Sequence, residues 1–391
     1  MLKKFIALLL AVILLTTAIP VFAFEYEEED YVQIRAAAEA QGWIVDWDAE
    51  LRKVILTAPN GDEFYVDVEE SGSFIVNGRV YVSPEIMEAL FFLYEAIVAI
   101  PDNPNIHGKL TRIEYGDNVA YLFGSMHASM PHWFPLVYFV EEAMERSDVF
   151  VFEVDMAEFM NMTEEQEARI EELQILPDGL TLEDILDEDV FENFITNLET
   201  FSAIGIDYEL VADLTPVALV SALESVMMMI LGLDLVFSID AYISMFAEEN
   251  DRPILGLNSI MNELDIVFDM PLEIQAYALI GFPDFDTMLE AFEDTGLIEL
   301  YETQDIEGIR EMLQAGAAAG EGNPYSEYML YNMMYVRDNI FAEEIARLLR
   351  ETEEPTTFFI TMGLAHLIRD YGFVFEFLEE KGFELESLWN L

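Results

Sequence analysis

Four short apolar runs, separated by long stretches with helical spacing, constrain the fold of this chain more than any other feature. They are Asn118 to Phe123, Val149 to Val154, Pro253 to Leu257 and Phe358 to Met362. Each is short and flanked by polar residues, the pattern of a strand buried on both faces. Acidic amphipathic segments lie between them, for example Glu141–Arg146, Thr163–Leu173 and Ala342–Arg350. Strands alternating with helices specify an α/β fold, a central sheet covered by helices. The block from Leu182 to Leu235 has no strand signal and is expected to be a helical insertion. It holds Met227 to Met229, which read either as core filling or as an adaptable apolar groove.

Ahead of this region, roughly Tyr31 to Leu90 reads as a small α+β unit of its own. Val32 to Gln41 has helical spacing, and Trp43 to Trp47 and Lys53 to Ala58 read as extended. Asn60-Gly61 is a hairpin signal, with Glu63 to Val68 returning. Phe74 to Val76, Asn77-Gly78 and Arg79 to Val82 make a second strand pair before a helix from Pro84. The order resembles the copper amine oxidase-like N-terminal domain, through Arg35 to Ala40, Trp47-Asp48-Ala49 and Val76 to Val82. The segment contains no histidine, so no copper is expected there. The resemblance implies contact with a cell surface or cell wall. The expected organisation is a signal peptide over 1–23, this domain over 24–95, a linker over 96–109 and the α/β domain over 110–391.

The signal is read from Lys3 and Lys4, the apolar run Phe5 to Leu15 and the small-x-small site Val21-Phe22-Ala23. An exported protein is expected, extracellular or held at the cell surface, cleaved near Ala23; an uncleaved membrane anchor is the rival reading. The best later candidate for a membrane span, Val217 to Phe237, is interrupted by Glu224 and Asp234, so no stable span is expected after cleavage. The formal net charge is −60, from 17 basic and 77 acidic residues. Such a field repels phosphate backbones and argues against nucleic acid as a partner, while it attracts divalent cations and basic peptides. Cysteine is absent, and the histidines number four: His107 in the linker, His127, His132 and His366.

Two of these histidines share a setting. Tyr121-Leu122-Phe123-Gly124-Ser125-Met126-His127 and Phe358 to His366, with Gly363-Leu364-Ala365-His366, both run apolar strand, glycine, two residues, histidine. In open α/β sheets ligands collect at the carboxyl ends of strands. A third strand carries Glu153, either emerging into that crevice or buried and in need of a partner. Two imidazoles and a carboxylate form a partial ligand set for Zn, Mn, Co or Fe. Metal-dependent hydrolysis is one reading; structural histidines at strand ends and a Glu153–Arg337 ion pair are the other.

The region from about Leu110 to Leu391 resembles the TraB/GumN family, related to the Tiki proteases and, more distantly, to erythromycin esterase-like and ChaN-like proteins. The resemblance rests on the paired G-x-x-H segments, Phe152 to Asp155, Ser238-Ile239-Asp240, Pro253 to Leu257, Arg337-Asp338 and Gly363 to Leu367. It implies a metal-dependent protease or hydrolase, with Mn, Co or Zn held by His127, His366 and Glu153. Glu153 would also serve in catalysis, and Arg337 would clamp an oxyanion or a substrate carboxylate. A peptide or protein is the implied substrate. The family pattern has Leu-Glu where this chain has Leu257-Asn258, with Glu263 one turn on as a substitute. Asn258 is then an auxiliary donor, as is His132 on a loop; Asp240 is read as a helix cap or an auxiliary site residue. The alternative is a non-catalytic binding protein that sequesters a peptide or small ligand on the same scaffold.

Overall fold

The computed structural model describes residues 109–388, except 156, 157, 159, 160 and 236, together with 32–33, 43–48, 53–57, 63–67, 74–76 and 79–82. The signal segment, both expected hairpin turns, the helix from Pro84 and residues 96–108 of the linker lie outside the described residues. Contacts divide the chain into two units, the smaller holding the amino-terminal strands and residues 131–134.

The smaller unit contains strands β1 (Val32–Gln33), β2 (Ile44–Asp48), β3 (Lys53–Thr57), β4 (Glu63–Asp67), β5 (Phe74–Val76) and β6 (Arg79–Val82). β2, β3 and β4 form one antiparallel sheet, and β1, β6 and β5 a second. The helical expectation for Val32 to Gln41 fails at its start, because Val32 and Gln33 pair with Val82 and Tyr81. A β-branched residue beside a partner strand gains cross-strand contacts that isolated helical spacing does not offer.

In the larger unit the strands are β7 (Lys109–Tyr115), β8 (Asn118–Ser125), β9 (Val149–Val154), β10 (Ile254–Asn258), β11 (Thr357–Gly363) and β12 (Leu385–Ser387). They form one sheet in the order β10-β9-β11-β8-β7-β12. The four apolar runs are its parallel strands, each found within two residues of its expected ends. β7 and β12 are antiparallel additions at one edge, which the apolar pattern did not reveal. Lys109 accordingly belongs to β7 and not to a linker.

Alternation along the parallel strands sorts their side chains onto two faces. Leu122, Val151, Phe358, Ile360 and Met362 share one core cluster with Phe341, Ile345, Leu349 and Phe375. The last four come from the helices Arg337–Glu351 and Val374–Glu380. On the opposite face Phe123, Phe359 and Phe150 form a row with ring centroids 5.8 and 5.7 Å apart, continued by Phe246 at 5.8 Å. Burying each such ring contributes roughly 1.5–3 kcal/mol, plus about 0.5–1.5 kcal/mol per aromatic pair.

Six helices carry the argument from here: α1 (Tyr138–Arg146), α2 (Pro216–Ile230), α3 (Ile239–Glu249), α4 (Ile260–Phe268), α5 (Pro324–Leu330) and α6 (Arg337–Glu351). Ser238 caps α3 by accepting from Ala241 N, and Ser259 caps α4 through Asn262 N. α6 has no cap of its own. It continues without a break from α5 through a π-helical segment, Tyr331–Val336, whose flanking residues are all helical. The described residues of the 182–235 block are helical apart from short turns and two isolated bridges made by Leu214 and Asp234. Its three methionines divide: Met227 is core, Met228 half-buried and Met229 exposed. Among the described residues no helix is long and apolar enough to cross a membrane.

Candidate functional site

The carboxyl ends of β8, β9, β10 and β11 lie side by side, because β11 inserts between β9 and β8 while β10 pairs β9 on the outside. Gly363 is level with Ser125, and Asn258 with Val154. This register delivers His127, Glu153 and His366 to one place although they are far apart in sequence. Glu153 shares its face of β9 with Val151, the face that α6 covers, so Arg337 in the first turn of α6 sits against it.

Glu153 Oε1 is the centre of the arrangement. It accepts a hydrogen bond from Gly363 N at 2.7 Å and faces His127 Nε2 at 3.4 Å and His366 Nε2 at 3.7 Å. Its other oxygen accepts from Arg337 Nη2 at 2.5 Å. Each imidazole has a carboxylate behind it. His366 Nδ1 is hydrogen-bonded to Asp338, and His127 Nδ1 faces Asp240 Oδ2 at 3.4 Å. Asp338 also accepts from Phe373 N, and Asp240 from Ser125 Oγ at 2.9 Å. A carboxylate beside Nδ1 favours the proton there, so that a neutral ring turns its Nε2 lone pair inward.

Arg337 is buried and bridges two carboxylates, Glu153 and Glu263, with its Nε 2.6 Å from Glu263 Oε2. The expected oxyanion clamp is therefore a fixed ion pair that holds Glu153 in place. Asn258 also departs from expectation. Its amide nitrogen donates to Glu263 Oε1 at 2.7 Å, and its oxygen accepts from Ser259 N and Asn262 Nδ2, both at 2.9 Å. No lone pair is directed toward the imidazoles. Asp240 is not the cap of α3, since Ser238 takes that position; it stands behind His127. His132 lies in the turn Pro131–Trp133, edge-on to Trp133, in the other unit.

Electrostatics follow from this geometry. Burial would raise the Glu153 carboxyl, but Arg337 and then His127 outweigh it and hold Glu153 well below the usual range. Burial pushes Glu263 up, and the Arg337 charge only partly opposes it. For His127 burial lowers the pKa, yet Glu153 and Asp240 together hold it well above the ordinary value. The ring still exposes 36% of its surface, which makes it the open side of the site.

Asp338 and Ser125 were the residues least visible in advance. Asp338 was part of a recognised dipeptide, but nothing local connects it with a histidine 28 residues away.

Residues 109–387 match the family model described as the TraB/PrgY/gumN family. The chain belongs to the TraB/PrgY/gumN family. No curated protein and no solved structure gives a significant match. In this TraB/PrgY/gumN member, the atoms able to hold a cation are His127 Nε2, His366 Nε2 and Glu153 Oε1. Among the described residues no group of three His, Asp or Glu side chains is placed to hold a metal ion. The two Nε2 atoms stand 3.4 and 3.7 Å from Glu153 Oε1, near the roughly 3.3–3.5 Å edge between ligands in a tetrahedral sphere with bonds near 2.0–2.2 Å.

Proposed function

We propose that this chain is a divalent-metal-dependent hydrolase acting on peptide bonds, with His127, His366 and Glu153 as ligands and Mn, Co or Zn as the ion. The observation that carries the reading is the convergence of two inward Nε2 atoms, each backed by a buried aspartate, on one carboxylate oxygen. Charge supports it. Glu153, Glu263, Asp240 and Asp338 are buried with one guanidinium, so with neutral imidazoles and ionised carboxylates the group carries −3. A divalent ion reduces that imbalance, which the low-dielectric surroundings would otherwise make costly.

A bound ion would supply a water of lowered pKa and polarise a substrate carbonyl. The chain's own residues do the rest. Asp240 and Asp338 keep the imidazole protons on Nδ1. Gly363 N–H and Arg337 fix Glu153 and keep it ionised, as a ligand to a divalent ion must be. Gly363 leaves the space open. Its φ of −52° and ψ of 134° suit any L-residue, so the glycine is needed for room and not for conformation. A Cβ there would lie 3.2 Å from His127 Nε2 and 3.5 Å from Glu153 Oε1. Gly363→Ala is expected to fold normally by circular dichroism yet bind Mn or Zn at least ~10-fold more weakly by titration, as loss of ligand alignment does. Unchanged affinity would remove the glycine from the site.

The test of the function is metal content by mass spectrometry on the untagged full chain, followed by incubation of the loaded protein with a broad peptide library. About one equivalent of metal with new peptide termini supports the hydrolase. Metal without cleavage moves the reading to a sequestering protein, which the engagement of Arg337 and Asn258 within the site favours. No metal after reconstitution rejects the metal-dependent hydrolase, makes the histidines structural and leaves the sequestering protein. We further propose that the chain is exported with cleavage near Ala23, which sequencing the mature amino terminus would check.

A further inference from the structure

Tyr301 is among the largest of the fully buried side chains, with 2% of its surface exposed. It belongs to a short helix, Leu297–Glu302, that leads through a tight turn into a second helix, Ile306–Ala319. Gln304 in that turn has a φ of 60°, and its side-chain amide donates to Tyr301 O at 2.9 Å, which ties the first helix to the turn. A buried phenol needs a partner for its hydroxyl. The Tyr301 hydroxyl donates to Gly124 O at 3.3 Å, and the Met126 backbone amide hydrogen-bonds the same oxygen. Both belong to the first G-x-x-H turn, three residues and one residue ahead of His127. Burial and then the Asp240 charge push the phenol well above its ordinary value, against the Met126 amide. The hydroxyl therefore keeps its proton and stays a donor.

The turn it holds is also where the two histidine segments meet. A Cβ on Gly124 would lie 3.1 Å from Leu364 Cα, so the missing side chain lets the second G-x-x-H turn pack on the first. The helix after Tyr301 reaches the second turn as well. Arg310 Nη1 is 3.3 Å from Asp370 Oδ2, and Gln314 Nε2 donates to Asp370 O at 3.2 Å. These two contacts are exposed and contribute little. The Tyr301 bond is buried, where water cannot replace it once it is lost. The helix pair therefore acts on the site chiefly through one hydroxyl.

We infer that Tyr301 is a positioning residue for His127, fixing the direction in which the imidazole leaves β8 toward Glu153. It acts through the backbone of Gly124 to Met126. A ligand constellation tolerates only ~0.5 Å of error, and His127 Nε2 stands 3.4 Å from Glu153 Oε1, so a small shift of this turn takes the imidazole out of line. The inference rests on the metal-site reading above.

Tyr301→Phe removes the hydroxyl and keeps the ring. With histidine alone isotopically labelled, the full chain gives four imidazole signals by nuclear magnetic resonance, assigned by replacing each histidine in turn with alanine. Without metal at pH 8, Tyr301→Phe should displace the His127 signal and leave those of His107 and His132 in place. Titration with Mn or Zn should then give an affinity at least ~10-fold weaker than wild type, as loss of ligand orientation does. Asn197→Ala is the control. It removes a bond of the same kind within the helical block, from Asn197 Nδ2 to Phe282 O at 2.6 Å. It should lower the melting temperature as Tyr301→Phe does, yet leave the His127 signal and the metal affinity unchanged. An unmoved His127 signal in Tyr301→Phe, unchanged metal affinity, or equal effects of the two variants overturns the inference and makes the phenol a packing residue. If wild type binds no metal, the metal reading fails by itself, and the His127 signal alone decides whether Tyr301 positions that ring.

Discussion

Arg337→Met should destabilise the larger unit by about 3–5 kcal/mol, the usual cost of removing one partner from a buried ion pair. Arg337 is 4% exposed, and it separates two carboxylates that are themselves buried, Glu153 and Glu263. Methionine approximates the stem, and Met333 already packs beside the guanidinium, so lost volume is a minor part of the effect. The cost arises from two desolvated carboxylates left facing each other. Glu263→Gln on the Arg337→Met background should recover much of the loss, because burial already pushes the Glu263 carboxyl toward its neutral form. Glu263→Gln alone should cost less than Arg337→Met, and the two changes should be strongly non-additive. Urea denaturation followed by far-ultraviolet circular dichroism measures this. A loss under about 1 kcal/mol for Arg337→Met would mean that water reaches the pair and that the triad is no anchor.

His127→Ala/His366→Ala should bind no Mn, Co or Zn under conditions where wild type holds about one equivalent. Asp338→Asn tests the layer behind the imidazoles. Asp338 accepts from both His366 Nδ1 and Phe373 N, and asparagine has one acceptor oxygen for two donors. The imidazole then loses its fixed tautomer, and metal affinity should fall by about 10–100-fold with the fold retained. Isothermal titration of the untagged proteins reads both effects without reference to activity. Metal retained by the double histidine variant would make both histidines structural. Full affinity in Asp338→Asn would remove Asp338 from its positioning role.

Much of the fold was legible because it depends on short-range pattern. A strand buried on both faces must be apolar along its length, and that requirement marked β8 to β11. The edge strands β7 and β12 escaped notice for the same reason. Lys109 to Tyr115 carries Lys, Thr, Arg and Glu, and Leu385 to Ser387 is three residues long. Their pairing depends on partners far away in sequence and not on any run of their own. In the small unit, Val32 and Gln33 likewise took strand pairing with β6 in place of a helical start.

For the site, the sequence alone determined the donors: four histidines to choose from, two at equivalent strand ends, and one acidic residue in an otherwise apolar strand. Strand alternation also placed Glu153 on the face opposite Phe152. The roles of the charged residues around these donors were decided only in three dimensions. Arg337 became a bridge between Glu153 and Glu263, Asn258 turned its amide to Glu263, and Asp240 moved from cap to partner of His127. A buried charge takes whichever partner the register of neighbouring strands and the phase of the covering helix bring within reach. That partner can lie 184 residues away, as Arg337 does from Glu153. No local pattern encodes such a distance; the insertion of β11 between β9 and β8 and the placement of α6 over their shared face do.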